Sequence, residues 1–242
     1  MSKFNLDYRI GFGSLLPDST ISLPGLMEYV QESSLYHTNS IPGAFDYYDR
    51  MNWVWVLTHW QVEIFGAARV ADIVNVSTWP VGFKGYFGER GFEVVDADGA
   101  RLLAANSNWI LLDRTSQKPV RPTEYIAEKY GERHPFLMPK DFAMPNTATF
   151  APLSSHDYTA TRRDADTNRH VNNVNYLRWI YDHIPDELYH DHRPTHLKVA
   201  YKKETYPGDA LKINLFRRDN DIFSTIEKDG QIATEIYVRW ER

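Results

Sequence analysis

An acid, an amide and an imidazole stand at alternate positions of Arg163-Asp-Ala-Asp-Thr-Asn-Arg-His170, namely Asp166, Asn168 and His170. In an extended loop such spacing would turn all three side chains the same way. A carboxylate can activate water or attack a carbonyl itself, and an amide can orient water or donate to an oxygen that gains charge. An imidazole shares and passes protons near neutral pH. A helix is expected from about Val171 to Ile184, so the backbone N–H groups of Val171 and Asn172 are candidate oxyanion donors at its start. Further along, Glu204 could polarise the water or hold His170 in one tautomer. The set suits hydrolysis of an activated carbonyl.

Each of these residues also has a structural use. Asp and Asn are common in turns and at helix N-caps, and a lone His can simply be satisfied in place. On strict strand alternation Glu204 shares a face with Lys198, Ala200 and Lys202, opposite Leu197, Val199 and Tyr201. A bulge near Pro207-Gly208 would be needed to re-aim it.

The elements that must position these groups form a pattern stated twice. In the first half, Ser22 can cap a helix whose first turn accepts Pro24, and Leu26, Met27, Val30 and Ser34 make its stripe to about His37. Strands follow at Trp53–Leu57, extended by Val62 and Ile64, and at Ile73–Val76. A hairpin then turns at Asp98-Gly99 and returns to Leu112. The second half reads Tyr158–Thr161, the helix after His170, alternating Leu197, Val199 and Tyr201, then Leu211–Ile213 and a turn at Asp229-Gly230. In both halves a Trp, 109 and 240, stands ten residues beyond the hairpin glycine. A Pro-bearing stretch from Lys118 to Pro152 separates them, with a short helix expected around Ile126 to Tyr130. We therefore expect an α+β protein: residues 1–140 as one domain, 141–150 as linker, 151–242 as a second domain, each a long helix wrapped by an antiparallel sheet.

The segment from Asp166 through His170-Val-Asn-Asn173 to Tyr176 and Trp179 resembles the hot-dog thioesterase signature. The added Asn168 resembles the form found in acyl-ACP thioesterases of plants and bacteria. Tyr201-Lys-Lys-Glu204 is similar to the stretch that carries a Glu in those enzymes. The first half also looks like their N-terminal domain, at Tyr8-Arg-Ile10, Met27, Gln31-Glu32, His37, Trp53-Val54, Asn108-Trp-Ile110 and Lys118-Pro-Val-Arg121. Thr205 stands where some plant members have Cys, and no transit leader is read at the N-terminus.

The resemblance implies a double hot-dog that hydrolyses fatty acyl-ACP to free fatty acid and holo-ACP. Asp166, Asn168, His170 and Glu204 would be catalytic, and acyl carrier protein would be the partner through its phosphopantetheine arm. Which carboxylate serves as base, and whether water attacks directly or after an acyl anhydride on Asp166, stay open. The N-terminal domain would shape the acyl cavity, for which Met27, Val30, Trp53, Trp55 and Trp60 are candidates, with core packing the competing reading. Acyl-CoA is the alternative substrate. A hot-dog hydratase or dehydratase lacks its expected His-Phe-Pro-Gly-like signature here, and a non-catalytic acyl-binding protein would leave the four polar residues unexplained.

Composition narrows the remaining classes. The chain has 242 residues and a net charge of −5, with a pI near 6.0, so its surface as a whole repels nucleic acid. Docking of an acidic carrier needs a local patch, and Arg162, Arg163, Arg169, Lys202 and Lys203 are candidates. With no Cys, disulfides, thiolate metal sites and a cysteine nucleophile are excluded. His190-Asp-His192 with His196 is read as a solvated connection rather than a metal site. No cofactor or metal is expected, no run is apolar enough to span a membrane, and a cytoplasmic setting is expected. A monomer and a homodimer are both compatible with two hot-dogs in one chain.

Overall fold

The computed structural model describes residues 3–242, and the chain divides into two units between Asp141 and Phe142. In the first, β1 (Phe4–Arg9) leads through a 3-10 turn to α1 (Leu23–Ser40) and α2 (Ala44–Met51). β2 (Trp53–Ile64), β3 (Ile73–Lys84), β4 (Phe87–Val95), β5 (Arg101–Asp113) and α3 (Glu124–Lys129) follow. The second holds β6 (Ala151–Thr159), α4 (Asn173–Tyr181), α5 (Asp186–Asp191), β7 (Arg193–Tyr201), β8 (Ala210–Arg218), β9 (Asp221–Lys228) and β10 (Gln231–Glu241).

Strand order is the same in both units. The first runs β1-β3-β4-β5-β2 and the second β6-β8-β9-β10-β7, with antiparallel neighbours throughout. The repeat in the sequence is thus a repeat of topology. α1 lies on β1 and β3, and α4 on β8.

Local chemistry explains the elements. Ser22 Oγ accepts the Gly25 N–H at 3.2 Å, and α1 buries Leu23, Leu26, Met27, Val30 and Ser34 at helical spacing. The Asp229-Gly230 turn has both residues at positive φ, 53° and 72°, as a tight hairpin between β9 and β10 requires. Gly91 on β4 leaves room for the buried Trp79, since a Cβ there would lie 2.5 Å from the indole.

Several sequence expectations are corrected. The second helix begins at Asn173 rather than Val171 and ends at Tyr181, and α5 is a separate helix after Pro185. Residues 142–150 are more than a linker, because Phe150 packs with Phe223 and Tyr237, and Ala143 O accepts Lys198 Nζ. Among the described residues, no helix is long and apolar enough to cross a membrane.

The first unit encloses a buried guanidinium that, among the described residues, has no carboxylate against it. Arg90 Nη1 donates to His37 Nδ1 at 2.8 Å and to Thr78 Oγ1 at 3.2 Å, and the cation lies 5.5 Å from the Tyr130 ring centre. Tyr130 continues the network to Tyr48 and Thr38, and Trp55 Nε1 donates to Tyr48 at 2.9 Å. Beside it lies a cavity of about 620 Å³ bounded by His37, Ile41, Thr78, Trp79, Tyr130 and His134.

Candidate active site

The segment from Ala165 to Val171 is a closed turn rather than the extended loop that alternation suggested. Ala165 and Val171 bridge, Asp166 N–H donates to His170 O at 2.8 Å, and Arg169 N–H to Asp166 O at 3.0 Å. Arg169 sits at φ 67° to close it. Asp166 Oδ1 accepts the Asn168 N–H at 2.7 Å, and Oδ2 lies 3.4 Å from Asn168 Nδ2. Asp166 therefore makes the turn and also fixes the amide of Asn168.

Two further ties set this turn in place. Val171 N–H donates to Thr205 O and Asn172 N–H to Asp164 O, each at 2.8 Å. Neither amide is free, so the expected oxyanion role of Val171 and Asn172 is overturned. Asn172 acts as N-cap, its Oδ1 accepting Val174 N–H at 3.0 Å. The first helical residue is Asn173, whose N–H the helix itself cannot bond.

Glu204 reaches the same place. Strand β7 ends at Tyr201, and the N–H groups of Lys202 and Lys203 both donate to Ala233 O, at 2.8 and 3.1 Å. Strand alternation no longer governs beyond that irregularity, which lies earlier than the bulge expected near Pro207-Gly208. Glu204 Oε1 lies 3.4 Å from His170 Nδ1, with both side chains about one-third exposed. His170 and Glu204 thus pair, while Asp166 and Asn168 pair beside them.

Supporting residues escaped the sequence reading. Asp164 is buried, and its Oδ2 accepts Thr161 N–H, Thr161 Oγ1 and Tyr158 OH within 3.0 Å. Asn175 Nδ2 donates to Asp164 O at 2.9 Å and locks α4 to the turn. Thr205 is fully buried, with its hydroxyl 2.7 Å from Tyr176 OH. Burial pushes that phenol up to about 12. Tyr206 OH donates to Glu204 Oε2 at 3.0 Å, and its ring stands edge-on to His170. A polar residue beside a candidate Glu was the only signal in the sequence for Tyr206.

The first unit builds the same turn without this chemistry. Leu15 and Ile21 bridge, Leu16 N–H donates to Thr20 O, and Ser19 N–H to Leu16 O. Ile21 N–H donates to Ala68 O and Ser22 N–H to Ser14 O, and Ser19 has φ 66°. Bond for bond, Leu16, Asp18, Thr20 and Ala67 stand where the second unit has Asp166, Asn168, His170 and Glu204. The backbone turn can be built without an acid at position 166, a His at 170 or a Glu at 204.

The other candidates are placed as follows. Met27, Val30 and Trp60 are buried in the first unit's core, while Trp53 and Trp55 pack against the cluster of Ile41, Tyr48 and Leu111. None of the five lines the 620 Å³ cavity. Arg162, Arg163 and Arg169 are exposed, whereas Lys202 pairs with Glu235 at 2.8 Å and Lys203 Nζ donates to Gln231. His192 and His196 bond to Glu187 O and Thr195, and no metal-ligating group of three occurs among the described residues.

Comparison with known proteins agrees in both halves. Residues 1–130 match the model of the acyl-ACP thioesterase N-terminal domain, and 149–242 that of its C-terminal domain. A chloroplastic palmitoyl-acyl carrier protein thioesterase of Gossypium hirsutum is 28% identical, covering 86% of this chain and 54% of that one. A chloroplastic oleoyl-acyl carrier protein thioesterase of Arabidopsis thaliana is 22% identical over 95% and 63%. The chain thus spans less than two-thirds of the length of these relatives. A solved acyl-ACP thioesterase from Bacteroides thetaiotaomicron superposes with a TM-score of 0.83 at 22% identity, over 98% of this chain and 97% of that one. The 12:0-ACP thioesterase from Umbellularia californica gives 0.86 at 19%, over 98% and 96%. These two establish the double hot-dog fold, and with both domain models matched in order, the chain belongs to the acyl-ACP thioesterase family.

Proposed function

We propose that the protein hydrolyses fatty acyl thioesters of acyl carrier protein, releasing the fatty acid and holo-ACP and so ending chain elongation. The observation that carries this reading is the turn built twice, with Asp166, Asn168, His170 and Glu204 added in the second unit only. Membership of the family supports the substrate class.

Glu204 Oε1, 3.4 Å from Nδ1 of His170, favours the tautomer that carries its proton there, which leaves the lone pair on Nε2 to take a proton from water. The water oxygen bonds to the thioester carbon, and the oxyanion is met by Asn173 N–H and the amide of Asn168. The C–S bond then breaks, and His170 returns its proton to the departing sulfur. In this scheme Asp166 orients Asn168, and the base is the His170–Glu204 pair. The 620 Å³ cavity, rather than the five side chains expected from sequence, is the proposed receptacle for the acyl chain in the first unit.

Free-thiol release from acyl-ACPs of several chain lengths and from matching acyl-CoAs tests the reaction. Release faster from ACP is expected, and no release from any thioester by folded protein would sink the proposal. Reversing Arg162 and Arg163 to Glu together should raise KM for acyl-ACP about tenfold at low salt, with kcat little changed. An unchanged KM would exclude that face as the dock. The same reading carries a cytoplasmic setting, tested by cell fractionation. It admits a monomer or a homodimer, which sedimentation equilibrium separates.

A further inference from the structure

We infer that Tyr206 is a positioning residue that holds Glu204 in register with His170, an inference that rests on the catalytic reading of that pair. The carboxylate is divided between two partners. Its Oε1 lies 3.4 Å from His170 Nδ1, and its Oε2 accepts Tyr206 OH at 3.0 Å. The phenol ring stands at 78° to the imidazole with centres 4.9 Å apart, so one side chain touches both members of the pair.

Tyr206 is exposed, yet it is anchored at several points. Its N–H donates to Asp209 Oδ2 at 2.8 Å, Asp209 pairs with Lys228, and the Lys228 ammonium lies 5.2 Å from the ring centre. Gly208 N–H and Asp209 O also bond Ala160 O and Ala160 N–H, at 2.7 and 3.0 Å, which pins the turn to the end of β6. Burial and the neighbouring Glu204 raise the phenol above its ordinary value, so it remains a donor through the neutral range. A carboxylate one-third open to water has several rotamers, and a fixed donor on Oε2 selects the one that leaves Oε1 against the imidazole. Holding Glu204 there keeps the proton of neutral His170 on Nδ1 and the lone pair on Nε2, as proton abstraction from water requires.

The first unit supplies a contrast. By the same backbone correspondence, Ala67 and Arg69 occupy the positions of Glu204 and Tyr206, and Arg69 Nη1 reaches Asp18 O at 3.4 Å. Where the carboxylate is absent, so is the phenol.

The test is a cycle of Tyr206→Phe, Glu204→Gln and the double variant, read by acyl-ACP hydrolysis and by ¹⁵N spectra of the His170 ring at alkaline pH. Tyr206→Phe keeps the ring and loses only the hydroxyl. We expect kcat to fall about tenfold with KM changed less than about twofold. The double variant should fall no further than Glu204→Gln alone. The ring spectra should move from the Nδ1–H form toward a mixture of tautomers. Additive losses, or a Tyr206→Phe enzyme with wild-type kcat and an unmoved tautomer signal, would overturn the inference. If the wild-type protein releases no thiol, the proposed function fails, and the tautomer signal alone then decides the role of Tyr206.

Discussion

His170→Ala should lower kcat by about a hundred- to ten-thousand-fold while KM for acyl-ACP barely moves, because general acid–base transfer acts on the transition state and not on carrier docking. Glu204→Gln should fall into the same range, and the two changes together should cost little more than either alone, as expected of groups that act as a unit. Asp166→Asn is the informative partner. An Asn side-chain oxygen can still accept the Asn168 N–H that Asp166 Oδ1 accepts at 2.7 Å, so the turn survives. If Asp166 only orients Asn168, this variant keeps the turn, loses the 3.4 Å contact of Oδ2 with the Asn168 amide, and should retain part of its activity where His170→Ala does not. If Asp166 were the nucleophile of an anhydride route, its amide would be as inactive as His170→Ala, and the assignment of the base to His170 and Glu204 would be wrong. Steady-state kinetics on folded variants, checked by circular dichroism, separates these outcomes.

What the sequence disclosed follows from the range of the interactions concerned. Hairpins at Asp-Gly, the cap at Ser22 and the apolar stripe of α1 are local devices, and the twofold order of helix and strands could be read from them. The second helix was misplaced because Val171 continues the apolar spacing. Its backbone is in fact taken by Thr205 O, thirty-four residues away in sequence, and periodicity carries no trace of that bond. For the same reason alternation assigned Glu204 to the wrong face, since β7 stops at Tyr201 where two amides share Ala233 O. The types Asp166, Asn168, His170 and Glu204 were legible, but their pairing was not. The sequence suggested three groups pointing one way, whereas the turn joins Asp166 to Asn168 and leaves His170 to Glu204. Asp164, Asn175 and Tyr206 act through contacts that only the folded chain defines.

Unfolding free energy should fall by about 2 kcal/mol more in the wild-type protein than in His37→Gln as pH drops from about 6.5 to 4. His37 is held neutral in the fold, pushed down to about 4 first by burial and then by the Arg90 cation 2.8 Å away. An unfolded imidazole titrates near 6.5. Between those values the unfolded chain binds a proton that the native chain refuses, so stability declines as pH falls through the window. Above about 6.5 neither state binds it and the contribution is flat, and below about 4 both do and no more is lost. The full linkage would be about 3 kcal/mol. His37 is partly open to water, and screening reduces that to about 2 kcal/mol. Protonation would also convert Nδ1 from acceptor to donor and place a second cation against the Arg90 guanidinium. Gln offers Arg90 an acceptor oxygen without titrating, so it isolates this term from the carboxylates that titrate over the same range. Urea unfolding at pH 7, 5.5 and 4.5 measures it. A difference between the two proteins that does not change with pH would mean that the His37–Arg90 contact is not what makes the first unit sensitive to acid.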